Sequence, residues 1–370
     1  MARNTVRPSP QVPTDAPTTS STLPAVAISR LDASPKVVRH AYADLWILLL
    51  IACWSTLSGS LVQFAALCGF QDPRLWQIVI HGQVIAAAAA FVWLCYLVIG
   101  RTPWNRRRPI RRLAIRSAAV ITGAAFLYTS LPAAIGAYPL WLTLFVQSAA
   151  VAWLALEVCR SRGITPARLG ICPPGARTPA GRVEAWEIGN RVVAACIMGG
   201  GAAMVLLVVL RWAPLGLPVM RTTQTEAIGL TSTWDLLPAV LWTVVSEDLV
   251  IVAAIAALAT AARRSTWEIY AIVCCVEIAV HLYMGLPALG YLPYAWYRVR
   301  LYLRYGRLTP LVVGHALFDV AGLSTQGFPL ASKLLLGLAV VVIHELCERL
   351  VNRYRIRAVQ DQPAETIGAR

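Results

Sequence analysis

Six ionisable side chains lie in apolar stretches between residues 236 and 324. Glu247 and Asp248 occur in Val244-Val245-Ser246-Glu247-Asp248-Leu249-Val250, Glu277 and His281 in a second apolar run, and His315 and Asp319 in a third. At bilayer depth each such group costs a few kcal/mol on insertion scales, which makes it a functional candidate in need of a partner. Residues four apart share a helix face, so Glu277 with His281, and His315 with Asp319, each form an acid–imidazole pair. Glu247 and Asp248 are about 100° apart on an α-helix; Glu247 is expected to aim at the common centre and Asp248 to support it or serve another helix. Counting about 1.5 Å per residue puts Glu247 and His281 near one depth and His315 about 12 Å shallower, so the third helix must tilt or start deeper to join them. An acid and two imidazoles around one water are suited to general-base hydrolysis.

The elements that carry these groups follow from composition. The 370 residues are 58% hydrophobic and 14% charged, with mean hydropathy +0.61, which excludes a soluble enzyme. Apolar blocks at about 41–68, 76–100, 117–137, 139–159, 191–211, 236–262, 266–286, 308–324 and 330–348 are each long enough to span, or nearly span, a hydrocarbon core of about 30 Å. They lack the two-residue alternation of barrel strands, and lipid requires each backbone to satisfy itself. The expected fold is an all-α polytopic transmembrane helix bundle of eight to ten spans. Ten are preferred, because the basic clusters fall on one side only if Pro287 to Leu303 also returns across the bilayer. That segment carries Tyr291, Tyr294, Trp296 and Tyr297 in the pattern of an interfacial or re-entrant stretch.

A net charge of +15 could suggest nucleic acid, but the arginines sit between spans. Arg101 to Arg116 and Arg160 to Arg182 form two such clusters, as the positive-inside rule requires, with no aromatic residues set among them for base stacking. No nucleic-acid partner is expected; both termini are expected to be cytoplasmic. The nine cysteines form neither a disulfide frame nor a zinc knuckle. Residues 1–40 are read as a disordered cytoplasmic tail without the apolar core of a signal peptide. Residues 41–211 are read as N-terminal transmembrane helices with basic loops, 236–324 as the functional core, and 325–370 as a last transmembrane helix with a basic tail. Only Lys36 and Lys333 accompany the arginines, a bias that favours a bacterial cytoplasmic membrane. Gly199-Gly200-Gly201 is expected to permit close helix packing.

The order Glu-Asp, then His, then His-x-x-x-Asp, each on its own apolar segment, resembles the CPBP intramembrane proteases, the group that includes the CAAX-prenyl endopeptidase. The tract Arg304 to Asp319 is similar to that family's stretch around its last histidine. The resemblance covers 236–324. It implies an endopeptidase in which Glu247 and His281 activate a water while His315 and Asp319 support the oxyanion, acting on a membrane-embedded or membrane-proximal protein or peptide. Two positions depart from the family pattern: Val252 stands where it has Arg, and Glu277 where it has Phe.

Those departures leave Glu247, Asp248, Glu277 and Asp319 without a cation in their own spans. Protonation of a carboxyl, an arginine such as Arg298 or Arg300 reaching in, or a divalent cation such as zinc at Glu247, His281 and His315 would each neutralise them. The hydrolytic reading requires no cofactor. A catalytically weakened protease-like scaffold and a proton- or cation-coupled transporter are the competing functions.

Overall fold

Proline opens four of the long helices: α1 (Pro35–Leu67), α2 (Pro73–Arg101), α3 (Pro109–Thr129) and α5 (Pro179–Trp212). Its fixed φ suits the first turn, where its missing N–H leaves nothing unpaired. The computed structural model describes residues 35–101, 109–132, 138–213, 216–230 and 232–324, with scattered positions between 332 and 349. Most of the expected N-terminal tail, and nearly all of the expected last helix and C-terminal tail, lie outside the described residues.

Between α3 and α5 runs α4 (Leu140–Ser161), and a short turn, α6 (Gln224–Ala227), follows α5. Then α7 runs through Leu236–Thr243, a π-helical stretch Val244–Ala254, and Ile255–Ala261. The chain continues through α8 (Thr266–His281), 3-10 turns at Leu282–Met284 and Leu286–Tyr291, α9 (Leu292–Tyr305) and α10 (Leu308–Ser324). No strand occurs among the described residues. The protein is an all-α helix bundle in which six helices, α1, α2, α4, α5, α7 and α8, are long and apolar enough to cross a membrane. Two other expected blocks are shorter or more charged: α10 is apolar but brief, and α3 begins at Pro109 and takes in Arg111, Arg112 and Arg116.

The helices alternate in direction between two ends. At the arginine-rich end Arg162 pairs with Asp44, the Tyr42 hydroxyl donates to Glu268, and Arg307 pairs with Glu184. At the opposite end Gln63 donates to the Ala227 carbonyl, and segment 216–230 is pinned under the α8–α9 connection. Met220 N–H donates to the Met284 carbonyl, and Leu286 N–H to that of Pro218. Gly285 between them has φ +81°, and a Cβ there would collide with the Pro218 carbonyl. Pro287 to Leu303 does return toward the arginine-rich end, but as a 3-10 turn followed by a 14-residue helix with buried Tyr294 and Arg298. The return is thus made in two parts, with Tyr294 turned inward rather than to an interface.

At the centre, α7 is almost wholly buried by its neighbours. Its two acids, Glu247 and Asp248, meet partners on α8, α9 and α10, while Thr243, Ser246 and Thr260 bond to carbonyls of their own helix.

Candidate active site

Glu247 and Asp248 both enter the same cluster. Their stretch of α7 is π-helical from Val244 to Ala254, and the wider i→i+5 turn narrows the angular step between neighbours. Adjacent acids can then face one centre, which an ideal α-helix would not allow. Asp248 Oδ1 accepts from Arg298 Nη1 at 2.8 Å, and its Oδ2 lies 2.9 Å from His315 Nδ1. Arg298 Nη2 lies 2.5 Å from Glu277 Oε2 and 3.4 Å from Glu247 Oε2. The cation missing from α7, α8 and α10 thus comes from α9, and Arg298 is the arginine that reaches in. Its guanidinium also packs 3.9 Å from the centroid of Tyr294, a favourable cation–π contact.

His281 is held by two contacts. Its Nδ1 lies 2.8 Å from the Glu277 carbonyl, which can only accept, so Nδ1 carries the proton and Nε2 presents its lone pair. The ring stacks on Tyr291 with centroids 4.1 Å apart. Nε2 then faces Glu247 Oε1 at 4.0 Å. A water about 2.8 Å from each atom fits over that separation, donating one hydrogen to each.

His315 reaches this level despite its shallow expected depth, because α10 starts close under the loop at Gly170, where Thr309 N–H donates to the Gly170 carbonyl. Besides Asp248, its ring meets the Tyr294 hydroxyl at Nε2, 2.9 Å away. With Nδ1–H donated to the acid, Nε2 accepts from Tyr294. Asp319 Oδ2 lies 3.6 Å from the same Nε2.

Exposure sorts the cluster. The side chains of Asp248, Glu277 and Arg298 are 0% exposed, whereas Glu247 keeps 11%, His281 10% and Asp319 20%. The second set keeps a small exposed edge; the first set is sealed behind it.

The three ligand-type atoms that converge within 4.8 Å of one another belong to Glu247, Glu277 and His281, not to the expected trio of Glu247, His281 and His315. A divalent cation at either set would compete with contacts already made. Both nitrogens of His315 are engaged by Asp248 and Tyr294, and the guanidinium of Arg298 already stands at Glu277 and Glu247. A second cation there would meet a fixed like charge.

From the sequence Arg298 is only one of two arginines that could reach in, and Tyr291 and Tyr294 belong to an interfacial or re-entrant pattern. A signal was present: Tyr291, Tyr294, Arg298, Tyr302 and Tyr305 recur at steps of three and four, one face of a helix. Gly199 of α5 allows that face to approach, since a Cβ there would overlap the Tyr294 side chain. No protein-family model, no curated protein and no solved structure matches the chain.

Proposed function

We propose that the protein is an intramembrane endopeptidase that hydrolyses a peptide bond with a water activated by Glu247 and His281. It would act in the bilayer, with its arginine-rich end cytoplasmic, in a bacterial cell membrane. The observation that carries this reading is the 4.0 Å gap between Glu247 Oε1 and the unprotonated Nε2 of His281, on side chains that keep about a tenth of their surface exposed while their supports are fully sealed.

A water in that gap donates one hydrogen to Glu247 and one to His281, leaving an oxygen lone pair for the scissile carbonyl carbon. As the C–O bond forms, Glu247 takes a proton and the carbonyl oxygen gains negative charge. A proton taken up at His315 Nε2, with Nδ1–H still held by Asp248, turns that nitrogen from acceptor to donor and releases the Tyr294 hydroxyl, so that both can donate to that oxygen. Breakage of the C–N bond returns the proton from Glu247 to the leaving amine, giving a carboxylic acid and an amine. Arg298 supplies, from a different helix, the positive charge that the family pattern places at position 252.

The test is cleavage of fluorogenic transmembrane peptides by the protein in liposomes. Parent protein is expected to cleave and Glu247→Gln to abolish turnover with unchanged melting; chelators are expected to have no effect. Cleavage undiminished in Glu247→Gln overturns the mechanism. Ion flux that depends on Glu247, without cleavage, supports a transporter, and neither activity supports a scaffold.

A further inference from the structure

Helices α5 and α10 touch where a Cβ on Gly314 would meet the Gly189 carbonyl. Beside that contact lies a cleft of about 380 Å³, between the two helices and the loop through Gly170 and Ala176. That volume falls within the usual range for small-molecule sites, about 300–1,000 Å³. Its lining is graded along the helices. Arg182 and Arg307 stand at the arginine-rich end, and Trp186, Val193, Val313 and Leu317 continue it along the apolar helix faces. From Arg182 to Val193 is about 16 Å at helical rise. Arg307 is buried; one guanidinium nitrogen, Nη1, serves Glu184 and the Gly181 carbonyl, while Nε is buried without a hydrogen-bond partner. Trp186, Val313 and Leu317 are 63%, 50% and 59% exposed, so the cleft opens sideways on the surface that lipid would cover.

We infer that this cleft is a binding site for one anionic phospholipid, its phosphate at Arg182 and Arg307 and an acyl chain along Val193, Val313 and Leu317. Glu184 already balances Arg307, so a neutral headgroup would leave the positive charge of Arg182 unmatched at the mouth, and a soluble phosphate would leave the apolar wall to water. Basic pockets between helices at the cytoplasmic face suit anionic headgroups for the same electrostatic reason. The site lies on the outer side of the helix that carries His315 and does not depend on the hydrolase chemistry.

Native mass spectrometry of the full chain in uncharged detergent tests it, with phosphatidylglycerol, phosphatidylcholine of the same acyl chains, and glycerophosphoglycerol as probes. Phosphatidylglycerol is expected to bind the parent tightly, and Arg182→Gln to weaken it about fivefold, as one lost basic contact would. Val313→Trp, at a half-exposed position, is expected to block the cleft, and Arg300→Gln, an exposed arginine outside it, to bind as the parent does. Melting curves verify that each variant is folded. Equal binding of phosphatidylcholine, binding of glycerophosphoglycerol as strong as that of the whole lipid, or phosphatidylglycerol retention unchanged in both Arg182→Gln and Val313→Trp would each overturn the inference.

Discussion

Asp248 and His315 are 67 positions apart in the chain, yet an oxygen of the first lies 2.9 Å from Nδ1 of the second. The contact fixes the proton of His315 on Nδ1 and turns Nε2 toward Tyr294 and the open side of the cluster. Carboxylates that orient imidazoles in this way are worth about 10- to 100-fold when removed from metal and catalytic sites. Asp248→Ala is therefore expected to lower turnover of a cleavable peptide by about that factor, and Asp248→Asn by less, since its amide oxygen still accepts. Peptidase assays on both variants check the order; equal activity of parent and Asp248→Ala would separate His315 from the chemistry.

Arg298 is the sole fixed cation among the buried residues of the cluster, and removing one member of a buried ion pair leaves the other charge uncompensated. Arg298→Met is expected to cost about 3–5 kcal/mol in stability. Arg298→Lys should recover only part of that, because one ammonium cannot span Asp248 and Glu277 as the planar guanidinium does. Thermal unfolding in detergent measures both.

Tyr291 acts on His281 through ring stacking alone. Tyr291→Phe keeps the ring and is expected to leave turnover nearly unchanged, whereas Tyr291→Ala loses a contact worth about 0.5–1.5 kcal/mol and should slow it by about two- to tenfold. A loss in the Phe variant as large as in the Ala variant would assign the role to the hydroxyl instead.

The approach of α9 to α5 depends on a missing Cβ. Gly199→Ala drives a methyl into the Tyr294 side chain, while Gly201→Ala meets nothing within 4 Å. Overpacking of this kind costs about 1–3 kcal/mol, so the first variant should melt lower and the second should match the parent, or exceed it slightly through helix propensity.

Outside the bundle, Glu226 is held below the ordinary carboxylate range by the Thr223 N–H and hydroxyl, which donate to it in a capping box. A lowered carboxyl stabilises its segment above the ordinary value and loses that contribution as pH falls through the lowered one. Hydrogen exchange at the Thr223 amide should accelerate on acidification relative to neighbouring amides, and Glu226→Gln should remove the pH dependence.

Much of this architecture was legible in the residues. Apolar runs long enough to span a bilayer specify helices, because lipid offers their backbones no other partner. The four-residue spacings placed Glu277 with His281 and His315 with Asp319 on common faces, and the burial cost of their charges marked them as a set. The Gly199 to Gly201 run announced a close helix contact without naming the partner. For the Glu247–Asp248 pair the expected division, one acid at the centre and one in support, rested on 100° steps; α7 widens into a π-helix there, and the smaller step that brings both into one cluster is something such a rule cannot express. Arg298 could be named only beside Arg300, and Tyr294 only as an interfacial residue, since their helix is short and amphipathic and is buried by neighbours distant in sequence. Local periodicity decides which face a side chain occupies. Whether two faces meet, and whether a guanidinium on one helix balances carboxylates on two others, is set by long-range packing, and only the assembled bundle decides it.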